Sequence, residues 1–219
     1  MIKKIKDLIK STLTENAAPP PKNMAVLDPA DAAALLAAMP AEPDMRIIGL
    51  FTEVSEEKNA ELIHALLYLN EINKLEKDES ARRPIDFYIS TYGGSADDMF
   101  GMYDMMRQIR EETEIHTIGL GKVMSAGVLI LASGTKGKRK IGKYCRVMIH
   151  SVIAGNHGSL SNLVNEMEAI QRIQEDYIEA LVAETDMTKK DIKNMLERKV
   201  NVYLSAEEAV ELGIADIII

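Results

Sequence analysis

Residues 126–132 read AGVLILA, seven apolar or small residues with a serine at each end. A helix that is apolar all round has no face to give to water, so the fold must cover it on every side. The flanking pattern supplies the cover. Short apolar runs at 46–51, 85–90, 115–119 and 146–149 read as strands. Between them lie helical patterns. One opens at Ser55, a side chain that caps, with Glu56 and Glu57 in the favourable first turn. Its stripe of Leu62, Leu66 and Leu69, with Ile63 and Leu67 beside them, predicts a buried face. A second covers 95–111, with Met99, Met102, Tyr103, Met106 and Ile109 aligned. Strand and helix in alternation argue for an α/β domain. In such folds the chemistry gathers where strands end and helices begin.

The last third differs. Leu160, Leu163, Val164, Met167, Ile170, Ile173, Tyr177 and Leu181 recur at steps of three and four. That predicts one long helix, too long to pack only on a small core, which protrudes or meets another subunit. Thr188 and Ser205 open two short helices; Ser205 with Glu208 makes a capping box, and Gly213 closes the last helix. Residues 1–44 stand apart. MIKKIKDLIKSTL has the spacing of a short basic amphipathic helix, AAPPP at 17–21 is a stiff linker, and 28–43 is at best one marginal helix. This extension reads as a propeptide, an axial segment or a tail. The folded domain is expected over 45–219.

Charge narrows the function. The net charge is −8 and the pI is near 5.1, which argues against a nucleic-acid partner. The single cysteine, Cys145, allows no internal disulfide and fits a reducing, cytoplasmic compartment. No apolar run approaches the roughly 18 residues of a membrane span.

The stretch GLGKVMSAG at 119–127 allows two chemistries, phosphate binding or a serine nucleophile. The phosphate reading fails on sequence. A P-loop ends in Lys followed by Ser or Thr. The nearest match, at 137–143, is followed by Tyr144 and then a strand. The dinucleotide fingerprint fails because Met124 stands at its third glycine. The basic run at 136–140 reads as a solvated turn. The glycines at 119 and 121 read as the tight end of a strand.

The nucleophile reading needs a base, an orienting group and oxyanion donors. Ser125 lies where a strand turns into the apolar helix, which also suits a mere N-cap. Val123 breaks the G-x-S-x-G elbow pattern. Of four histidines, His64 reads as a surface residue, His116 as packed in its strand and His157 as a loop residue, while His150 ends a buried strand, where a catalytic base is expected. Cys145 points away from His150 in an extended strand and reads as a core thiol. No metal-ligand pattern appears.

These residues, taken in order, resemble the proteolytic subunit of the Clp protease. YISTYGGS at 88–95, MSAG at 124–127, ASGTKGKR at 132–139, RVMIH at 146–150, LSAEEA at 204–209 and LGIAD at 212–216 resemble that family's segments, as does the step of 25 residues from Ser125 to His150. The resemblance covers about 45–219. It implies the ClpP/crotonase-type superhelix of ββα units, with the helix at about 159–184 as a protruding handle. It implies Ser125 as nucleophile, His150 as base, and the N–H groups of Gly94 and Ala126 as oxyanion hole. It implies a serine endopeptidase without cofactor or metal, cutting unfolded polypeptides inside two stacked heptameric rings and fed by a separate AAA+ unfoldase. Three positions depart from the family. Asn201 stands where an aspartate orients the histidine, Ser151-Val152 replaces glutamine-proline, and Ala126 replaces methionine. Other readings stay open: a non-catalytic subunit of a mixed ring, a crotonase-type acyl-CoA enzyme, or a serine–lysine peptidase using Lys122.

Overall fold

In strand β2 (Ile85–Thr91) every second residue, from Ile85 to Thr91, is buried and those between are half-buried. This is the period of a strand with a core on one face. Its neighbours β1 (Ile47–Leu50) and β3 (Ile115–Met124) both run parallel to it. Parallel strands need long crossovers, and here each is a helix, α1 (Glu56–Leu75) and α2 (Ala96–Ile109), packed on each other. Ser55 and Ser95 cap them by accepting from Lys58 N and Asp98 N. Leu67, expected on the buried stripe of α1, is 39% exposed because that stripe is narrower than its apolar residues. This computed structural model describes Asp28 and residues 45–155, 157–197 and 200–219. The helices expected near the N-terminus lie outside the described residues. Met45–Ile219 forms one compact unit.

Strand β3 does not end at Gly119 as expected; it runs ten residues to Met124. Its register against β2 slips on the way. Ile89 pairs with Gly119 but Thr91 pairs with Val123, so two steps on β2 match four on β3. Gly121, at φ 65, takes up the extra length in a left-handed conformation that suits glycine. The slip lets β3 fork. Ile118 and Gly119 pair with β4 (Lys140–Ile141), and residues 122–124 pair with β5 (Arg146–Ile149). β6 (Val202–Leu204) lies antiparallel on β5, and β7 (Ile217–Ile218) parallel on β4.

Helix α3 (Ala126–Ala132) is the apolar segment of the sequence, and every one of its residues is buried. Strands β2, β3 and β5 and helices α2 and α4 (Leu160–Glu184) enclose it. Its C-terminal carbonyls need donors. Arg139 Nη1 donates to Ala132 O at 3.2 Å and Arg110 Nη1 to Ser133 O at 2.9 Å. Each arginine is matched by a carboxylate: Arg110 by Glu184 at 2.7 and 2.8 Å, Arg139 by Asp216 at 2.5 and 2.8 Å. The basic run at 136–140 is therefore only partly a solvated turn. Lys136 and Lys138 are exposed, whereas Arg139 is buried beneath α3.

Only the C-terminal half of α4 enters the core, through Tyr177, Ile178, Ala180, Leu181 and Glu184. Its first turns stand clear, with Leu160 80% exposed and Val164 and Met167 also exposed. The handle is thus present, with an apolar face turned to solvent. After α5 (Lys189–Glu197), the capping box of Ser205 and Glu208 starts α6 (Ala206–Glu211), and Gly213 closes it at φ 70.

Burial alone would raise the Glu184 and Asp216 carboxyls, but their arginine hydrogen bonds and charges bring both below the ordinary range. A pKa depressed on folding gives stability that is present above the unfolded value of about 4 and lost as pH falls through the folded one. Arg139→Met leaves Asp216 and two carbonyls short of donors. We expect a loss on the order of 3 kcal/mol at pH 7, with a smaller loss at acid pH than at pH 7. Urea titrations across that range measure both.

Candidate active site

Ser125 sits at the N-cap position of α3 without capping it. Its backbone, at φ 53 and ψ −122, is the one positive-φ non-glycine conformation among the described residues. Such a conformation costs roughly 1–3 kcal/mol and persists only where its surroundings impose it. Three hydrogen bonds do so. Ser125 N donates to Met148 O at 2.8 Å, and Ser125 O accepts from Val128 N at 3.0 Å and from the Tyr177 hydroxyl at 3.3 Å. Gly127 permits the close turn, because a Cβ there would meet Thr91 Cγ2 at 2.5 Å. The result is a strained strand-to-helix elbow, reached with the buried Val123 in place of the usual glycine.

Gly93 and Gly94 abut this elbow, at φ 103 and φ 153. A Cβ on Gly93 would lie 2.6 Å from Ser125 Cβ and 3.1 Å from Ala126 N. One on Gly94 would collide with the Val54 backbone. Val54 anchors the pair: its N–H donates to Gly93 O at 2.8 Å and its carbonyl accepts from Ser95 N at 2.9 Å. Thr91 Oγ1 accepts from Gly93 N at 3.0 Å and donates to Thr52 O at 2.6 Å. These bonds leave the Gly94 N–H unpaired among the described residues. Ala126 N–H, the first of α3, has no intrahelical acceptor either. Two unpaired amides beside a serine are the parts of an oxyanion hole.

His150 follows β5 directly and is half-buried. Its Nδ1 lies 2.6 Å from Ser151 O. A carbonyl can only accept, so Nδ1 carries a proton; in the neutral ring this tautomer leaves the lone pair on Nε2. Asn201 comes close by topology. Ile149 pairs with Val202, and one further antiparallel step sets Asn201 opposite His150. Its side chain makes no hydrogen bond among the described residues, and Ser151 O holds the nitrogen expected to face it.

Ser125 and His150 line one cleft of about 350 Å³, with Tyr92, Met99, Ile173 and Tyr177. Among the described residues, no Asp, Glu, Lys or Arg lines it. Tyr177 was visible in the sequence only as a member of the helix stripe. Its role at the elbow depends on how α4 meets α3, which no local pattern encodes. Burial pushes its hydroxyl well above the ordinary range, so it stays a donor. The other candidates fall elsewhere. Cys145 is buried, and burial pushes its thiol up to about 11. His116 contacts Glu114 at 2.9 Å and Asp86 at 3.5 Å, and His64 is exposed. Lys122 lies over the Tyr92 ring, 4.6 Å from its centroid. Among the described residues, no cluster could hold a metal and no helix is long and apolar enough to cross a membrane.

An α/β domain with these parts is arranged as a hydrolase. Comparison narrows the class. The Clp protease family model matches residues 37–219. Two curated relatives, each called ATP-dependent Clp protease proteolytic subunit 1, come from Prochlorococcus marinus subsp. pastoris (strain CCMP1986 / NIES-2087 / MED4) and Prochlorococcus marinus (strain MIT 9312). Each is 33% identical over 174 residues, which covers 80% of this chain and 83% or 84% of the relative. The chain belongs to the Clp protease family, a family of peptidases.

Two tests address the local geometry. Gly93→Ala puts a methyl against Ser125 in a conformation alanine resists, so the reactivity of Ser125 toward an active-site probe should fall at least ten-fold. Cys145 should resist iodoacetamide at pH 8 in folded protein and react once urea unfolds the chain, as read by intact mass.

Proposed function

We propose that this chain is a serine endopeptidase subunit that cuts unfolded polypeptides inside an oligomeric chamber. The observation that carries the reading is the strained Ser125 elbow, flanked by the unpaired Gly94 and Ala126 amides, in one cleft with His150. Ser125 Oγ attacks the peptide carbonyl and His150 Nε2 takes its proton. The oxyanion forms against the Gly94 and Ala126 N–H groups. As the C–N bond breaks, His150 returns the proton to the leaving amine. Water then repeats the sequence on the acyl-enzyme. The elbow geometry favours the transition state because its amides are already aimed and need no reorganisation.

Asn201 orients the imidazole in this reading by accepting from Nδ1–H in place of Ser151 O. Its register position opposite His150 supports that role. As a neutral residue it aligns the ring without stabilising imidazolium by charge. The family supports an oligomer served by an ATPase. On that basis the assembly is two stacked heptameric rings fed by a separate AAA+ unfoldase in the cytoplasm. The exposed apolar face of α4 suits ring contact, and residues 1–44 suit a propeptide or an axial segment.

A second reading has a specific observation behind it. Asn201 and the occupied Nδ1 favour a non-catalytic subunit that shapes a mixed ring. A fluorophosphonate probe separates the two. The peptidase reading expects covalent labelling at Ser125, hydrolysis of short fluorogenic peptides by the pure protein, and loss of both in Ser125→Ala. It also expects Asn201→Asp to raise kcat several-fold and Asn201→Ala to lower it. An assembled protein that neither labels nor cleaves, beside a reactive control hydrolase, belongs to the second reading.

A further inference from the structure

Lys122 stands three residues before Ser125, and no step of the hydrolysis uses it. Its ammonium lies over Tyr92, whose ring is 72% exposed and lines the catalytic cleft. In the β3–β5 register Lys122 pairs with Arg146. Paired residues share a face of the sheet. The opposite face holds Val123, Val147 and Ile149, all fully buried under the core. Lys122 and Arg146 therefore lie side by side on the face turned away from α3, at the end of the sheet where the cleft opens.

Neither residue makes an ion pair among the described residues. Like charges on paired strand positions repel. The chain has 34 acidic residues against 26 basic ones, so carboxylates to neutralise the pair are not scarce. Asp97 and Asp98 are nearby in sequence to Tyr92, but they sit in the first turn of α2, where the helix dipole favours them. Arg146 also lines a groove of about 380 Å³ with Lys143, Tyr144 and Tyr203, and with Glu208, whose carboxylate accepts from Ser205 N in the capping box. Cations with exposed aromatic faces suit carboxylates on an extended chain that also offers apolar groups.

We propose that Lys122 and Arg146 hold an acidic side chain of the polypeptide being cut, and so bias the enzyme toward sites flanked by Asp or Glu. Three residues of strand span about 10 Å, so the acidic residue lies about three positions from the scissile bond. The proposal rests on the peptidase reading for the nature of the ligand. A net charge of −8 argues for polypeptide over nucleic acid.

Binding tests this without hydrolysis. The full chain carrying Ser125→Ala is titrated against a fluorescein-labelled unstructured peptide with glutamates and its glutamine counterpart. The glutamate peptide should bind about five-fold tighter, and high salt should close the gap. Lys122→Met keeps the stem on Tyr92 and removes only the charge. It should close the gap as well, as should Arg146→Gln, with the glutamine peptide bound as before. Equal binding of the two peptides, or a preference that survives both substitutions, overturns the proposal. Tighter capture of oligo-dT than of the glutamate peptide overturns its assignment to polypeptide. A Ser125 that fails to react with fluorophosphonate counts against hydrolysis and not against this pair.

Discussion

A helix buried on every side must find partners for the polar groups at its two ends. Most of this structure follows from how α3 does so. At its C-terminal end, Arg139 and Arg110 donate to the Ala132 and Ser133 carbonyls. The buried guanidinium of Arg139 and the half-buried one of Arg110 are matched by Asp216 and Glu184 beside them. Those carboxylates come from the end of α4 and from the C-terminal segment, so the helix end fastens the last third of the chain to the sheet. At the N-terminal end no such partner is supplied among the described residues. The amides of Gly94 and Ala126 stay open, which is why the proposed mechanism puts the oxyanion there. One end of the helix is closed by the protein, and the other is left open among the described residues.

The slip in β3 brings the chemistry to that open end. Without the extra length around Gly121, residues 122–124 would continue beside β4. With it, they pair with β5, and Ser125 N reaches Met148 O. Ser125 and His150, 25 residues apart in sequence, then leave adjacent parallel strands at the same edge. Parallel pairing makes this possible, because both strands deliver their carboxyl ends to one side of the sheet. The strain at Ser125 is borne by contacts from three separate elements: β5, α3 and Tyr177 of α4.

The role proposed for Asn201 has weaker geometric support than those of Ser125 and His150. Ser151 O occupies His150 Nδ1 through a contact between adjacent residues, whereas Asn201 must reach across from β6. A local acceptor forms with little loss of chain entropy, while an acceptor from another strand depends on how β5 and β6 are held. The exposed apolar half of α4 and the cleft share one helix, since Ile173 and Tyr177 line the site. What packs on the handle therefore acts on the same rigid element that touches the Ser125 carbonyl.

The sequence by itself missed the short strands β4, β6 and β7. It determined the order of four strands, β1, β2, β3 and β5, and of the helices between them, most of the buried faces of α1 and α2, the capping box at Ser205, and Ser125 and His150 as candidates. These are local properties, carried by periods of two and 3.6 and by residues that cap or turn. The burial of Arg139 was invisible, because a basic run reads as solvated unless Asp216, far along the chain, closes over it. The slip at Gly121 was invisible too, because register depends on both strands. The same holds for the left-handed backbone of Ser125, the open amide of Gly94 and the hydroxyl of Tyr177 at the elbow. Each is decided by a partner distant in sequence, so only the tertiary structure could turn a serine that looked like a helix cap into one held in a strained elbow.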